Sequence, residues 1–572
     1  MVHVRDSLVM SDFLCSPLMG LISGSWPSGL TAPIASAVCV LLFLLPGLAL
    51  SLITSPRHAA ERLAVAVILS SLLGYSCFWV YLGSPVIGRG FTLFVMLSSA
   101  IAVIGAGITK GPTIFSRRFI RLLLIKIAVV VVYTSALNLA PFQGTQGELA
   151  NEHFFPQWND NVYQDAVAHR LFMGIPLPES DGWGLSERPP LQAGLFLLSG
   201  VSFLGGEFWI QAMGVAINSS WFVVLAYLGA MVGLRDDALG RMLFLSIFVG
   251  FFFLNSVFVW PKMLAGTLVV LGAAFWWYAE SGTRPAGRLW LGICAWGCAW
   301  FAHSATGFAI LLALACGVAV ALRMMRGQIE YPIWTIAVLG LTLSWLLVPW
   351  SVFKELQGGS SDVLLEYHLG GVFDAPPDAP AVSVVLAAYS ELSALEILQR
   401  KLGNFRTLFV PMGDYGEGAI EWRRRDYYHL FFSLGFLNLG WVVWLVHRLF
   451  KKQRDASSFT FDSARLMVPF AGACLVLLTW VLVEFGPSAV EMSMWVKQSF
   501  NPPIAVTILH QGSYAPYILL VFVAASLTQS LRGRLWRLVA IVHFAIFAWF
   551  YVLTPRDLLD HKAVDPISLT LL

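Results

Sequence analysis

Charge is scarce in this sequence. Asp, Glu, Lys and Arg make up 12% of the 572 residues, against 58% hydrophobic residues, and the mean hydropathy is +0.73. A string of soluble domains is excluded, because their surfaces need charged residues at about a quarter of the chain. A nucleic-acid binder built on a basic face is excluded too: the net charge is only +3, and the charges are sorted by connector rather than pooled. Cysteine is equally uninformative as a staple. Cys39, Cys77, Cys294, Cys298, Cys316 and Cys474 fall inside apolar runs and only Cys15 in a polar flank, so no disulfide framework is available. Cys294 and Cys298 stand one helical turn apart with no His or acid beside them, which reads as packing rather than a metal pair. The apolar patch at 13–23 is short and has no basic lead-in, unlike a cleavable signal. Internal repeats and low-complexity tracts are missing as well, which weakens a transporter built from duplicated halves.

What the chain does have is a succession of apolar runs of roughly 18 to 22 residues, the length a helix needs to cross about 30 Å of hydrocarbon. Spans are expected near 31–52, 63–83, 91–109, 119–140, 208–232, 242–259, 263–280, 289–303, 306–322, 332–350, 429–446, 466–484, 514–531 and 536–553. The fold class is therefore all-α: a polytopic transmembrane bundle of about fourteen spans with outer-face loops and surface helices. Basic residues set the orientation. Arg57 with Arg62, Lys110 with Arg117, Arg118 and Arg121, Arg235 with Arg241, Arg284 with Arg288, and Arg323 with Arg326 belong in the cytoplasm. So do Lys451, Lys452 and Arg454, and the run Arg532, Arg534, Arg537. The N-terminal segment and four spans then occupy 1–140, a first large outer loop 141–207, central spans 208–350, a second outer loop 351–428, and C-terminal spans 429–553. The last part includes an outer loop at 485–513, and an outer tail follows at 554–572.

The outer loop is where chemistry-bearing residues gather. From Asn151 to Gly200 the chain packs acids, amides, prolines and aromatics between two membrane-grade segments. Asn159 and Asp160 precede a helix-like run from Val162 to Met173 closed by Gly174 and Pro176; taken alone they are ordinary helix caps. Tyr163 follows at a fixed offset, and Glu187, Arg188, Pro189, Pro190 and Leu191 restart the chain toward the membrane. Leu191 to Leu204 is too short to cross and reads as a re-entrant or surface helix.

The pattern ND-x-x-Y, then Gly174 eleven residues after the tyrosine, then ERPPL, resembles the first outer loop of GT-C glycosyltransferases. Aminoarabinose transferases and protein O-mannosyltransferases are the nearest types. The resemblance covers about fifty residues. It implies an integral plasma-membrane (inner-membrane) enzyme that moves a sugar from a polyprenyl-phosphate donor to a lipid, glycan or protein acceptor at the outer face. Relatives with a paired acid motif carry two carboxylates where this chain has Asn159 and Asp160, so Asp160 alone is left as the base. Arg188 is implied at the donor phosphate, with Glu187, Tyr163 and Asn159 around it. Weaker echoes are the outward hairpins at Lys262 and His303; Lys262 and the late-loop His510 are read as second-rank helpers at the departing phosphate, with His303 a weaker candidate beside them. Each has a bland alternative: a headgroup anchor for Arg188, snorkelling for Lys262, and a hydrogen-bonded hairpin for His303.

Other polar groups carry less. Asp165 is expected to face solvent. Arg423, Arg424 and Arg425 stand outside against the charge rule and suit an anionic lipid or pyrophosphate, or a surface helix on headgroups. Segment 484–514, with Pro502 and Pro503, is compatible with a cover over the site. Some relatives use a divalent cation, but no spacing among Glu148, Glu152, Asp160, Asp165 and Glu187 is diagnostic, so no metal ligand and no certain cofactor is assigned. The competing readings are an O-antigen ligase-like enzyme, for which Arg423 to Arg425 would be the key basic residues, a lipid-linked glycan transporter, and a non-catalytic membrane subunit. A transporter needs ionisable residues along mid-span, and the spans read as nearly free of charge.

Overall fold

The computed structural model describes residues 28–54, 56, 58–138, 159–177, 189–201, 207–257, 259–278, 285–329, 333–356, 363–372, 379–407, 463–486, 514–530 and 533–553. Among the described residues every regular element is a helix. The N-terminal four are α1 (Ser28–Thr54), α2 (Ala59–Gly83), α3 (Pro85–Ile114) and α4 (Arg117–Asn138), in register with the apolar runs that predict them. Ser84 shows how a boundary is made. Its hydroxyl accepts from the Ile87 amide at 3.4 Å, and Pro85 takes the first helical position, where a missing N–H costs nothing.

The outer loop contributes α5 (Asn159–Met173) and α6 (Leu191–Ser199). The expected span at 208–232 stands as one stretch, Trp209–Met231, interrupted only by a turn at Ser219 and Ser220 between α7 (Glu207–Asn218) and α8 (Trp221–Met231), whereas that at 242–259 is divided into α9 (Asp236–Ile247) and α10 (Gly250–Val257). Lys126 explains the turn. Its ammonium donates to the Ala216 carbonyl at 2.9 Å and to the Ser219 hydroxyl at 2.5 Å, fully buried at the point where α7 ends. Lys126 is one charged residue inside a span, against spans that otherwise carry at most two Asp, Glu, Lys or Arg in their apolar windows. The division of 242–259 comes at Phe248, just before Gly250, a poor helix former.

The chain continues through α11 (Lys262–Trp277), α12 (Pro285–Ala302), a 3-10 turn (Ser304–Ala309), α13 (Ile310–Met325) and α14 (Ile333–Leu356). Short helices α15 (Val363–Gly370), α16 (Ala381–Ser390) and α17 (Ala394–Thr407) follow, then α18 (Met467–Val483), α19 (Tyr514–Leu527) and α20 (Gly533–Leu553). The expected span at 429–446, Cys15 and the basic residues Lys451, Lys452 and Arg454 lie outside the described residues. Six described stretches are long and apolar enough to cross a bilayer, namely α1, α2, α3, α7 with α8, the 3-10 turn with α13, and α14, or seven if the bent pair α16–α17 is one span, and α11, α18 and α19 are shorter apolar helices. The chain is a multi-pass membrane protein. Apolar side chains along α3 and α14, such as Phe94, Ile101, Ile108, Ile336 and Leu341, are exposed, as lipid-facing surfaces require.

Side-chain bridges sort the connectors into two ends. At one end Arg118 pairs with Asp236 at 2.9 Å and Arg288 with Glu61 at 2.8 Å. There too Arg323 donates to the Trp277 carbonyl at 2.7 Å, Arg465 to the Met231 carbonyl at 3.2 Å, and Arg241 to Gln529 at 3.0 Å. The basic connectors that the charge pattern puts on one side of a membrane are thus drawn together. Arg89, from the connector between them, is elsewhere: it donates to the Phe172 carbonyl at 2.6 Å and stacks on the Phe172 ring, at the far end of α2 and α3.

Candidate functional site

The candidate site is assembled at that far end, starting from α5. Gly174, at φ 71°, stops the helix, and Ile175 N–H reaches back to the Arg170 carbonyl at 2.9 Å. The inward face of α5 carries Gln164, which spans the gap to α6. Its carbonyl accepts from the Ala193 amide at 3.2 Å, and its amide donates to the Pro189 carbonyl at 3.3 Å. An orphan amide at the start of α6 is satisfied in this way. Helix α6 is buried along nearly its whole length, so of the two expectations for it, the surface helix is wrong. Apolar side chains from Leu191 to Leu198 find a better environment inside the bundle than in water. A Cβ on Gly194 would stand 2.0 Å from the Gly74 carbonyl oxygen, so only glycine lets α6 cross α2 there.

From α6 the next link is Gln192, buried, whose amide donates to the Val259 carbonyl at 3.2 Å. That bond holds the turn Val259–Pro261, which presents Trp260 and starts α11 at Lys262. Lys262 is 1% exposed, with its ammonium 3.3 Å from the centre of the Trp260 ring. Snorkelling is therefore not what Lys262 does. His303 comes from the α12 turn with its ring centroid 6.3 Å from that of Trp260, edge-on. Its Nδ1 accepts from the Ala305 amide at 3.0 Å, capping the 3-10 turn, so the neutral ring carries its proton on Nε2. The hairpin role expected for His303 is what this bond provides.

Lys262 and His303 line a cavity of about 20 Å³, room for one water-sized group, together with Gly266, Thr306, Val476 and Tyr514. Tyr514, at the start of α19, is buried and its hydroxyl bonds to Asn255 at 2.9 Å. A Cβ on Gly266 would meet the Tyr514 Cβ at 2.7 Å, which is why α19 can close the cavity. Lys262 and His303 border one small volume, an arrangement suited to an anionic oxygen.

Asn159 and Asp160 form the first turn of α5, one turn before Gln164, and their side chains lie outside the described residues. Tyr163 is half-buried against the core. Asp165 is half-buried rather than solvent-facing. Glu187, Arg188, His510, Arg423, Arg424, Arg425 and segment 487–513 lie outside the described residues. Lys262 and His303 are the two expected site residues that the fold brings together. Among the described residues no three His, Cys, Asp or Glu side chains gather as a metal set, and Glu148 and Glu152 fall outside them.

A second polar cluster was not foreseen. Glu484, at the end of α18 and fully buried, holds His368 Nδ1 at 3.1 Å. Its main-chain carbonyl accepts from Asn404 at 2.9 Å and from Lys401, whose ammonium also reaches the Tyr389 hydroxyl at 2.8 Å. Burial pushes the Glu484 carboxyl up, against the opposing pull of His368 and Lys401. Burial likewise pushes the Lys401 ammonium down to about 8. The signal available in the sequence was a carboxylate closing an apolar run. Phe308 of the 3-10 turn lies edge-on to His368, with centroids 5.8 Å apart, and so connects this cluster to the cavity wall.

Comparison with known protein families, with curated proteins and with solved structures finds none that matches this chain.

Proposed function

We propose that this chain is an integral membrane glycosyltransferase of GT-C type that moves a sugar from a polyprenyl-phosphate donor to an acceptor at the outer face of the plasma membrane. About fourteen crossings carry it, with the basic connectors in the cytoplasm. The observation that supports this reading best is the meeting of two hairpins far apart in sequence, at Lys262 and His303, on one cavity. The ND-x-x-Y helix is tied to the same place through Gln164, α6 and Gln192.

In this mechanism the departing group is a lipid phosphate, and negative charge grows on its oxygens as the glycosidic C–O bond lengthens. Lys262 stabilises one such oxygen, which is all the cavity admits, and His303 holds the wall through its bond to Ala305. Arg188 is the second cation and Asp160 the base that takes the proton from the acceptor hydroxyl or amine. The GT-C resemblance supplies both of those roles. The acceptor stays a lipid, a glycan or a protein. Lys262→Met is expected to weaken binding of polyprenyl phosphate in nanodiscs at least tenfold. Unchanged binding would remove Lys262 from the donor site.

The transporter alternative gains one buried mid-bundle cation, Lys126. That ammonium is held by Ala216 and Ser219, in the manner of a packed structural residue.

A further inference from the structure

Helix α17 starts at a capping box. The Ser393 hydroxyl accepts from the Glu396 amide at 3.3 Å, while the Glu396 carboxylate takes the Ser393 amide at 2.7 Å. From there the helix sorts its residues into three faces. Asn404 and Lys401 point inward, bound to the exit of α18 through the Glu484 carbonyl. Leu395, Leu398, Leu402 and Phe405, spaced as one stripe, are 63%, 55%, 58% and 53% exposed. Glu396 and Gln399, on the remaining side, are exposed and polar. An apolar stripe bordering a polar flank, on a helix whose third side is clamped, fits a boundary between hydrocarbon and water rather than either phase alone.

The clamp also sets the depth. Helix α18 has 17 residues, so at about 1.5 Å per residue it rises about 25 Å, close to the thickness of the hydrocarbon layer. Glu484, immediately beyond it, lies where the apolar layer ends, and α17 is bonded to that residue. Helix α16 adds Val382 and Leu386, both 65% exposed, and meets α17 at a bend of 111°. A bend of that size keeps the two helices from forming one straight crossing.

We propose that α17 lies in the plane of the membrane at the end away from the basic connectors. There it seats Leu395, Leu398, Leu402 and Phe405 in the acyl region of the lipids and leaves Glu396 and Gln399 in water. The proposal requires the chain to span a bilayer and stands whether or not it transfers a sugar. The full chain in nanodiscs, with Cys15 and Cys474 changed to Ser so that the remaining native thiols are the five buried ones, is spin-labelled singly at Leu395→Cys, Leu398→Cys, Leu402→Cys, Phe405→Cys and Gln399→Cys. Collision with oxygen, which partitions into lipid, is compared with collision with a water-soluble nickel chelate. The stripe labels are expected to favour oxygen and the Gln399 label the chelate. Chelate access to the stripe equal to that at Gln399 would put α17 in water and overturn the proposal. Protection of the stripe from both reagents would overturn it as well, showing another segment of this chain or a second copy over it. Because four positions report the same face, loss of one variant to misfolding leaves the other three to decide.

Discussion

The Glu61–Arg288 pair offers the sharpest test of how the bundle is held. Its side chains are 5% and 6% exposed and meet at 2.8 Å, with Arg288 also donating to the Tyr278 carbonyl at 2.7 Å. Removing one partner leaves a charge in a low-dielectric interior, which costs about 3–5 kcal/mol, whereas replacing both with neutral side chains of similar volume is close to neutral. Glu61→Gln and Arg288→Met should each lower the apparent melting temperature in nanodiscs by several degrees, since about 2 °C accompanies each kcal/mol in a large domain. The double variant should recover most of that loss, giving a coupling energy of about 2 kcal/mol or more. The pair joins the first turn of α2 to the first turn of α12, so the same result reports that those two helix starts share a side. Two small, additive shifts would refute the reasoning, because a buried and mutually dependent pair cannot behave additively.

Three further outcomes follow from particular contacts. Gly194→Ala should destabilise by roughly 1–3 kcal/mol or prevent folding, because its methyl group meets the Gly74 carbonyl oxygen. Gly74→Ala, which first meets the flexible Leu195 side chain, should cost less in the same thermal assay. His303→Ala removes the cap on the 3-10 turn and should cost about 1 kcal/mol, with His303→Asn restoring most of it. Lys401 makes stability depend on pH. With its folded value near 8 and an unfolded value of about 10.4, the unfolded chain binds more protons across that window, so stability rises with pH between them. The difference in melting temperature between wild type and Lys401→Met should change upward for wild type from pH 8 to 10, and a flat difference would remove Lys401 from this account.

The sequence carried the bundle because a membrane helix declares itself locally, through length and hydropathy. Spans such as 63–83 and 332–350 reappear within a few residues as Ala59–Gly83 and Trp334–Leu356. Breaks within spans were not legible. The stop at Asn218 depends on Lys126, some ninety residues earlier, and hydropathy averages cannot register a bond to one carbonyl. Within the candidate site, Gly174 and the prolines before α6 could be read because turns and helix starts have local signatures. Gln164 and Gln192 could not, since a buried glutamine reads like a surface one until its partners at Ala193 and Val259 are known. Glu484 and His368 stand 116 residues apart, beyond the reach of any spacing rule. Lys262 and His303 were singled out through family resemblance, and their convergence required the fold.

The central claim is a glycosyl transfer that needs the first turn of α5. Purified wild-type protein and Asp160→Asn, reconstituted with a polyprenyl-phosphate-linked sugar and an acceptor lipid extract, can be compared by following release of free polyprenyl phosphate. Asp160→Asn is predicted to bind the donor as wild type does and to release less than about one-hundredth as much product, the range a positioned base contributes. Equal release by the two proteins would contradict the account.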